Sequence, residues 1–234
     1  MPNYFLLCLA FFLSLDTNSS VAKFETHYRT AKTMRANFLE LYSENGQIVR
    51  SEAGIAYFRK PGKMRWEYQK PEKNLFLVDG KDAWFYTPVD HTATKIPARQ
   101  SDDWRTPLAL LTEGAKLSKV CDRIVEANLP VTPSEPNLTQ RNGTGFECVL
   151  KNSSPQTDRD SSGTSKMRVF LELRTDTGEL ARVLIQSPGS VQTEFRFKDW
   201  EIDPPLADAL FKFSPPPGVV IVNGLLPSSP SVRQ

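Results

Sequence analysis

"KPGKMRWEYQKPEKNLFLVDGKDAWFYTP", from Lys60 to Pro88, decides the fold. Within it KMRWEYQK alternates: Met64, Trp66 and Tyr68 fall on one face of a strand, Arg65 and Glu67 on the other. NLFLVD is apolar on both faces. Asp79-Gly80 is a hairpin turn signal, and DAWFYTP returns as the next strand. GIAYFRKP, just upstream, reads as one more. Three or four antiparallel strands therefore follow one another with short turns. They are rich in Trp, Tyr and Phe and hold hardly a group that does chemistry.

Outward from this stretch the pattern changes twice. From Val21 to Tyr42 the residues Phe24, Tyr28, Ala31, Met34, Phe38, Leu39 and Tyr42 recur at steps of mostly three and four. That spacing predicts a long amphipathic helix opening the domain. Downstream, TPLALLTEG has the Thr-Pro start and Gly stop of a short helix, and AKLSKVCDRIVEA predicts a second. Two stretches rich in Pro, Ser, Thr, Asn and Gly, within residues 130–165, read as exposed loops around a strand FECVLKN. KMRVFLELR, LARVLIQS and VQTEFRFKDWEI complete a meander of strands. The fold class is α+β, dominated by antiparallel sheet.

Composition and address narrow the function classes. The chain has 234 residues, 24% charged and 39% hydrophobic, with a net charge of +2. That balance is globular and too even to argue for a nucleic-acid partner. YFLLCLAFFLSL, Tyr4 to Leu15, is too short an apolar run to span a bilayer and fits the core of a secretory signal. Ser20-Val21-Ala22 supplies small residues for cleavage, although no Lys or Arg precedes the run. Residues 1–22 are expected to be a cleaved signal peptide, 23–224 the mature domain and 225–234 a disordered tail. An exported protein, expected to be a monomer and not a lipoprotein, follows.

No reaction centre is apparent. The two histidines, His27 and His91, lack a nucleophile or metal-ligand partner at motif spacing. G-x-S-x-G, H-E-x-x-H, the Walker loop and G-x-G-x-x-G are all missing. The expectation is a non-enzyme with no cofactor and no metal. Cys121 and Cys148 remain after signal removal, either bridged or as two buried thiols. The aromatic strands leave two readings open. They make an ordinary packed core, or they line a curved sheet whose hollow admits an apolar ligand. Periodicity does not separate the two.

The order of short motifs here resembles the LolA family, the periplasmic carriers of outer-membrane lipoproteins. The matching pieces are Gly54, then Lys60-Pro61-Gly62, Arg65-Trp66-Glu67-Tyr68, Pro71, Asp79-Gly80 and Trp84-Phe85-Tyr86. TPLALL is similar to the family's lid segment, and LFKFSPPPGVVIV to its C-terminal signature. The resemblance runs from about Val21 to Val222. It implies an unclosed antiparallel β-barrel, a half-barrel, with an N-terminal amphipathic helix and a helical lid over a hydrophobic cavity. It implies a chaperone that holds the acyl chains of lipoproteins. Its donor would be an inner-membrane ABC transporter, its acceptor an outer-membrane receptor lipoprotein. Met64, Trp66, Tyr68, Phe76, Val78, Trp84 and Tyr86 are the expected cavity wall, with Leu108 and Leu111 the lid's inward residues. Where the family usually has Arg before the Pro, this chain has Arg59-Lys60-Pro61, so Lys60, with Arg59, is the candidate lid latch. That departure and the long loops leave a second reading, a related periplasmic lipid-binding or envelope-stress sensor module on the same fold.

Overall fold

The computed structural model describes residues 17–98, 106–133, 143–151 and 167–224. Helix α1 (Thr17–Arg29) precedes strands β1 (Thr33–Glu44), β2 (Gln47–Arg59), β3 (Lys63–Lys70), β4 (Leu75–Val78), β5 (Asp82–Thr87) and β6 (Thr92–Pro97). A 3-10 turn (Thr106–Leu111) and a single helical turn, α2 (Leu117–Val120), interrupt the sheet. Strands β7 (Cys121–Glu126), β8 (Gly143–Leu150), β9 (Arg168–Arg174), β10 (Leu180–Ser187) and β11 (Val191–Ile202) follow. A short β12 (Val220–Asn223) ends the described chain. Of the expected boundaries, residues 1–16 and 225–234 lie outside the described residues; α1 begins upstream of the cleavage point expected after Ala22.

All twelve strands form one sheet in the order β12-β6-β5-β4-β3-β2-β1-β11-β10-β9-β8-β7. Only β12–β6 is parallel. The two edge strands do not pair, so the barrel is open. Its curvature follows from side-chain distances. Trp66 on β3 and Phe195 on β11 are three strand spacings apart, about 14 Å in a flat sheet. Their ring centroids lie 5.5 Å apart. The face carrying them is therefore strongly concave.

Two segments expected to be helical are strands. The long helix stops at Arg29, and Thr33–Glu44 is β1. Met34 and Phe38 are four apart, so they satisfy both the helical period and the period of two. Buried Ala36 between them, with half-buried Arg35 and Asn37, shows that the strand period holds. Likewise α2 ends at Val120, and Cys121–Glu126 pairs with β8 as an edge strand.

The outer face is covered in places. After β11 the chain crosses back over the sheet. Asp203 accepts the backbone N–H groups of Lys32 (2.6 Å) and Thr33 (3.2 Å). Phe211 is fully buried, as is Leu77 of β4. Farther along the outer face Arg182 is buried between Glu172 (3.2 Å) and Glu194 (2.8 Å), and Arg196 also donates to Glu194 at 2.8 Å. Burial pushes the Glu194 carboxyl up, but Arg196 and Arg182 outweigh it and hold the group below the usual carboxylate range. A depressed folded-state value stabilises above the ordinary Glu range, and that contribution is lost as pH falls through the depressed value. Glu194→Gln should thus cost about 2 kcal/mol near neutral pH. The gap to wild type should shrink steadily on acidification, as read from urea midpoints.

Candidate functional site

The concave face is built by strand alternation. On β3, Met64, Trp66 and Tyr68 point inward; Arg65 and Glu67 point outward and pair with each other at 2.6 Å. Register carries the inward face across the hairpins. Trp66 lies opposite Phe76 and Met64 opposite Val78. Phe76 then faces Phe85, and Val78 faces Ala83. Phe76 and Val78 therefore share the face of Trp66, while Leu75 and Leu77 turn the other way.

Trp84 and Tyr86, expected on the wall, are on the outer face. The inward residues of β5 are Ala83 and Phe85. Trp84 packs at 5.0 Å and Tyr86 at 5.6 Å from Phe213 of the C-terminal crossing segment. The Trp84 indole donates to Asp79 Oδ2 (3.3 Å), and Lys95 lies 4.9 Å from its ring. Trp-Phe-Tyr is aromatic on both faces of a strand, so the alternation alone leaves its parity open, and the covering segment with Phe213 fixes it.

The rest of the concave face comes from residues that the helical reading of β1 and the short motifs passed over. Trp66 makes ring contacts with Phe38 (4.8 Å), Phe58 (5.8 Å), Phe195 (5.5 Å) and Phe197 (6.0 Å). Ala36 and Ala56 occupy the two strands beneath, both fully buried, and their small side chains leave room for the indole to lie across them. Trp200 links this cluster to Phe58 and to Tyr28 of α1, with its indole N–H on the Leu180 carbonyl at 2.9 Å. Toward one end the surface turns polar: the Tyr68 hydroxyl donates to buried Glu40 at 2.8 Å, and Arg50 pairs with Glu52 at 2.8 Å. Gly54 sits between Phe38 and Tyr68, where a Cβ would meet the Glu67 carbonyl oxygen at 1.9 Å.

Two separate pieces cover the concave face. From α1, Phe24 and Tyr28 are fully buried against it. Burial raises the Tyr28 phenol well above its ordinary range, so it stays neutral; its oxygen accepts the Leu180 N–H at 3.0 Å. From the 3-10 turn, Leu108 and Leu111 are fully buried in the same apolar cluster, together with Leu110. The Gly62 N–H reaches the Thr112 carbonyl at 3.3 Å, tying the β2–β3 turn to this segment. Glu25 of α1 accepts the Leu117 N–H at 3.1 Å, tying the two covers together. Cys121, at the end of the second cover, is joined to Cys148 of β8 by a disulfide.

The latch expected of Lys60 and Arg59 engages other partners. Lys60 Nζ donates to the carbonyl of Arg29 at 3.0 Å and to that of Tyr28, the C-terminal end of α1. A cation there satisfies orphan carbonyls and meets the negative end of the helix dipole. Burial lowers the Lys60 pKa, and Asp203 partly opposes the shift. Arg59 bonds Asp208 and the Leu206 carbonyl and lies 5.2 Å from the Phe211 ring, on the outer face. Lys60→Met should therefore loosen α1 and spare the 3-10 turn. We expect a loss of about 1 kcal/mol, with faster amide exchange in the last turn of α1.

Among the described residues no group of His, Cys, Asp and Glu is placed to hold a metal ion, and no helix is long and apolar enough to cross a membrane. The offer of this face is apolar contact.

Comparison with known proteins agrees with that chemistry. The family described as outer membrane lipoprotein carrier protein LolA matches residues 29–142, and a family of predicted periplasmic proteins (DUF2092) matches residues 180–223. The outer-membrane lipoprotein carrier protein of Nitrosomonas europaea is 29% identical over 208 residues, covering 88% of this chain and 89% of the relative. That of Nitrosospira multiformis is 27% identical over 226 residues, covering 92% and 96%. Among solved structures, a conserved protein of Thermus thermophilus is similar with a TM-score of 0.49 at 15% identity, over 88% of this chain and 97% of that one. With the family pattern falling on the strands of the concave face, and relatives matching along most of its length, this chain is similar to the LolA family of lipoprotein carriers and its compartment is the periplasm.

Proposed function

We propose that this protein is a periplasmic carrier that binds the acyl chains of lipoproteins against its concave face. It would take them from an inner-membrane ABC transporter and hand them to an outer-membrane receptor lipoprotein. The observation that carries this reading is the kind of cover the face has. A continuous aromatic surface on a strongly bent sheet is closed by a 13-residue helix and a six-residue 3-10 turn, with no second sheet over it among the described residues.

Burying an acyl chain releases about 0.8 kcal/mol per CH₂, so a chain of about sixteen carbons has on the order of 10 kcal/mol driving it out of water. In the closed form Leu108, Leu111 and the rings around Trp66 fill that space themselves. An entering chain replaces those contacts with similar ones. Opening then exchanges apolar surface for apolar surface, which keeps net affinity modest enough for release. Met64 and the flat rings suit a ligand that is held without tight complementarity.

Native mass spectrometry of the protein purified from its own periplasm tests this. Bound triacylated peptide is the expected result. Bound phospholipid would instead favour the related lipid-binding or stress-sensor module. A ligand-free species that takes up no apolar dye would end the carrier reading.

A further inference from the structure

The centre of the concave face holds one polar atom that the fold leaves unused. Trp66 is fully buried, and its Nε1–H has no hydrogen-bond acceptor among the described residues. Other polar tips of aromatic side chains here are satisfied: Trp84 on Asp79, Trp200 on the Leu180 carbonyl, Tyr68 on Glu40. Around Trp66 stand the rings of Phe38, Phe58, Phe195 and Phe197, which offer only π faces, much weaker acceptors than a carbonyl. A buried donor without an acceptor is rare and destabilising, whereas a Phe at this position would pack with no such penalty.

We propose that the missing acceptor is brought by the ligand, and that it is the carbonyl oxygen of an acyl ester. Trp66 Nε1–H then reads the point where a fatty chain joins its head group. The face would distinguish an ester-linked chain from plain hydrocarbon. The position suits this. Trp66 lies mid-strand, across Ala36 and Ala56, with the polar cluster of Glu40, Arg50 and Glu52 beyond Tyr68 at one end. A chain lying along the aromatic floor with its ester over the indole would direct its head group toward that polar end. This inference rests on the carrier reading and sharpens it from an acyl chain to an acyl ester.

The test uses delipidated mature protein and two matched lipopeptides, one with two ester-linked palmitoyl chains and one with the same chains ether-linked. Both compete against an apolar dye. Wild type should prefer the ester by about tenfold, the usual weight of one hydrogen bond to a buried donor. Trp66→Phe should shrink that preference to about twofold or less, read as the ratio of the two affinities within the same variant, so that any general loss of apolar binding cancels. In ¹⁵N-labelled wild type the Trp66 indole N–H resonance should move downfield with the ester and not with the ether, a measurement that stands even if the variant folds poorly. Equal affinities with an unmoved indole resonance would overturn the ester contact and leave the carrier standing. Failure of both lipopeptides and the dye to bind would remove the carrier reading itself.

Discussion

Trp66→Ala should destabilise the ligand-free protein by about 3–5 kcal/mol, and an apolar ligand should restore a large part of that loss. The first half follows from packing. Trp66 is fully buried, four phenyl rings contact it, and the residues beneath it are already alanines, so nothing nearby can collapse into the space. For a chain of this size the melting temperature should fall by roughly 6–20 °C. The second half separates a carrier from an ordinary core. In a packed core the hole is closed on all sides and takes at most a ligand the size of the removed ring, not a long chain. In a face built to exchange its own side chains for acyl chains, the hole is a better entry, so decanoic acid or a short-chain lipopeptide should raise the melting temperature of the variant more than that of wild type. Thermal melts with and without ligand decide it. A variant that melts low and gains nothing from ligand would mean that the rings around Trp66 are simply the interior of the domain.

The sheet was legible because its central hairpins carry clean alternation and strong turns. Met64, Trp66 and Tyr68 lie on the face that their spacing predicts, and Asp79-Gly80 turns β4 into β5. Legibility failed where one residue pattern satisfies two periods or two faces. Met34 and Phe38 fit a helix as well as a strand, and only the pairing of β1 with both β2 and β11 decides between them. Trp84-Phe85-Tyr86 is apolar in both directions, and its parity depends on Phe213, more than 120 residues downstream. The wall contributed by Phe195 and Phe197 was invisible for a related reason. Their strand reads as an ordinary meander strand, and its approach to Trp66 is a consequence of curvature. The role of Lys60 was misplaced because a local motif names a cation but not the carbonyls it will meet. Those carbonyls belong to a helix that ends 31 residues earlier than Lys60.

Replacing both Cys121 and Cys148 by Ala should lower stability by about 3.5 kcal/mol. The chain-entropy relation gives this value for a sequence separation of 27 residues. The location gives the bond a second consequence. Cys121 follows directly on α2, at the end of the cover that begins with the 3-10 turn, and Cys148 is on β8 beside the edge strand. The bridge therefore fixes one end of the cover to the rim of the sheet, so that any lifting must start from the other end. Without the bridge, β7 is an edge strand held by backbone pairing on one side alone, and its fraying would carry α2 with it. The double variant should thus show both a lower urea midpoint and faster amide exchange through Leu117–Glu126, with dye uptake quickened. Both sulfurs are buried, so dithiothreitol added to folded wild type should leave the midpoint unchanged until unfolding exposes the bond. If the double variant matched wild type in midpoint and exchange alike, the bridge would have no part in holding the cover, and the pairing of β7 with β8 would have to be sufficient by itself.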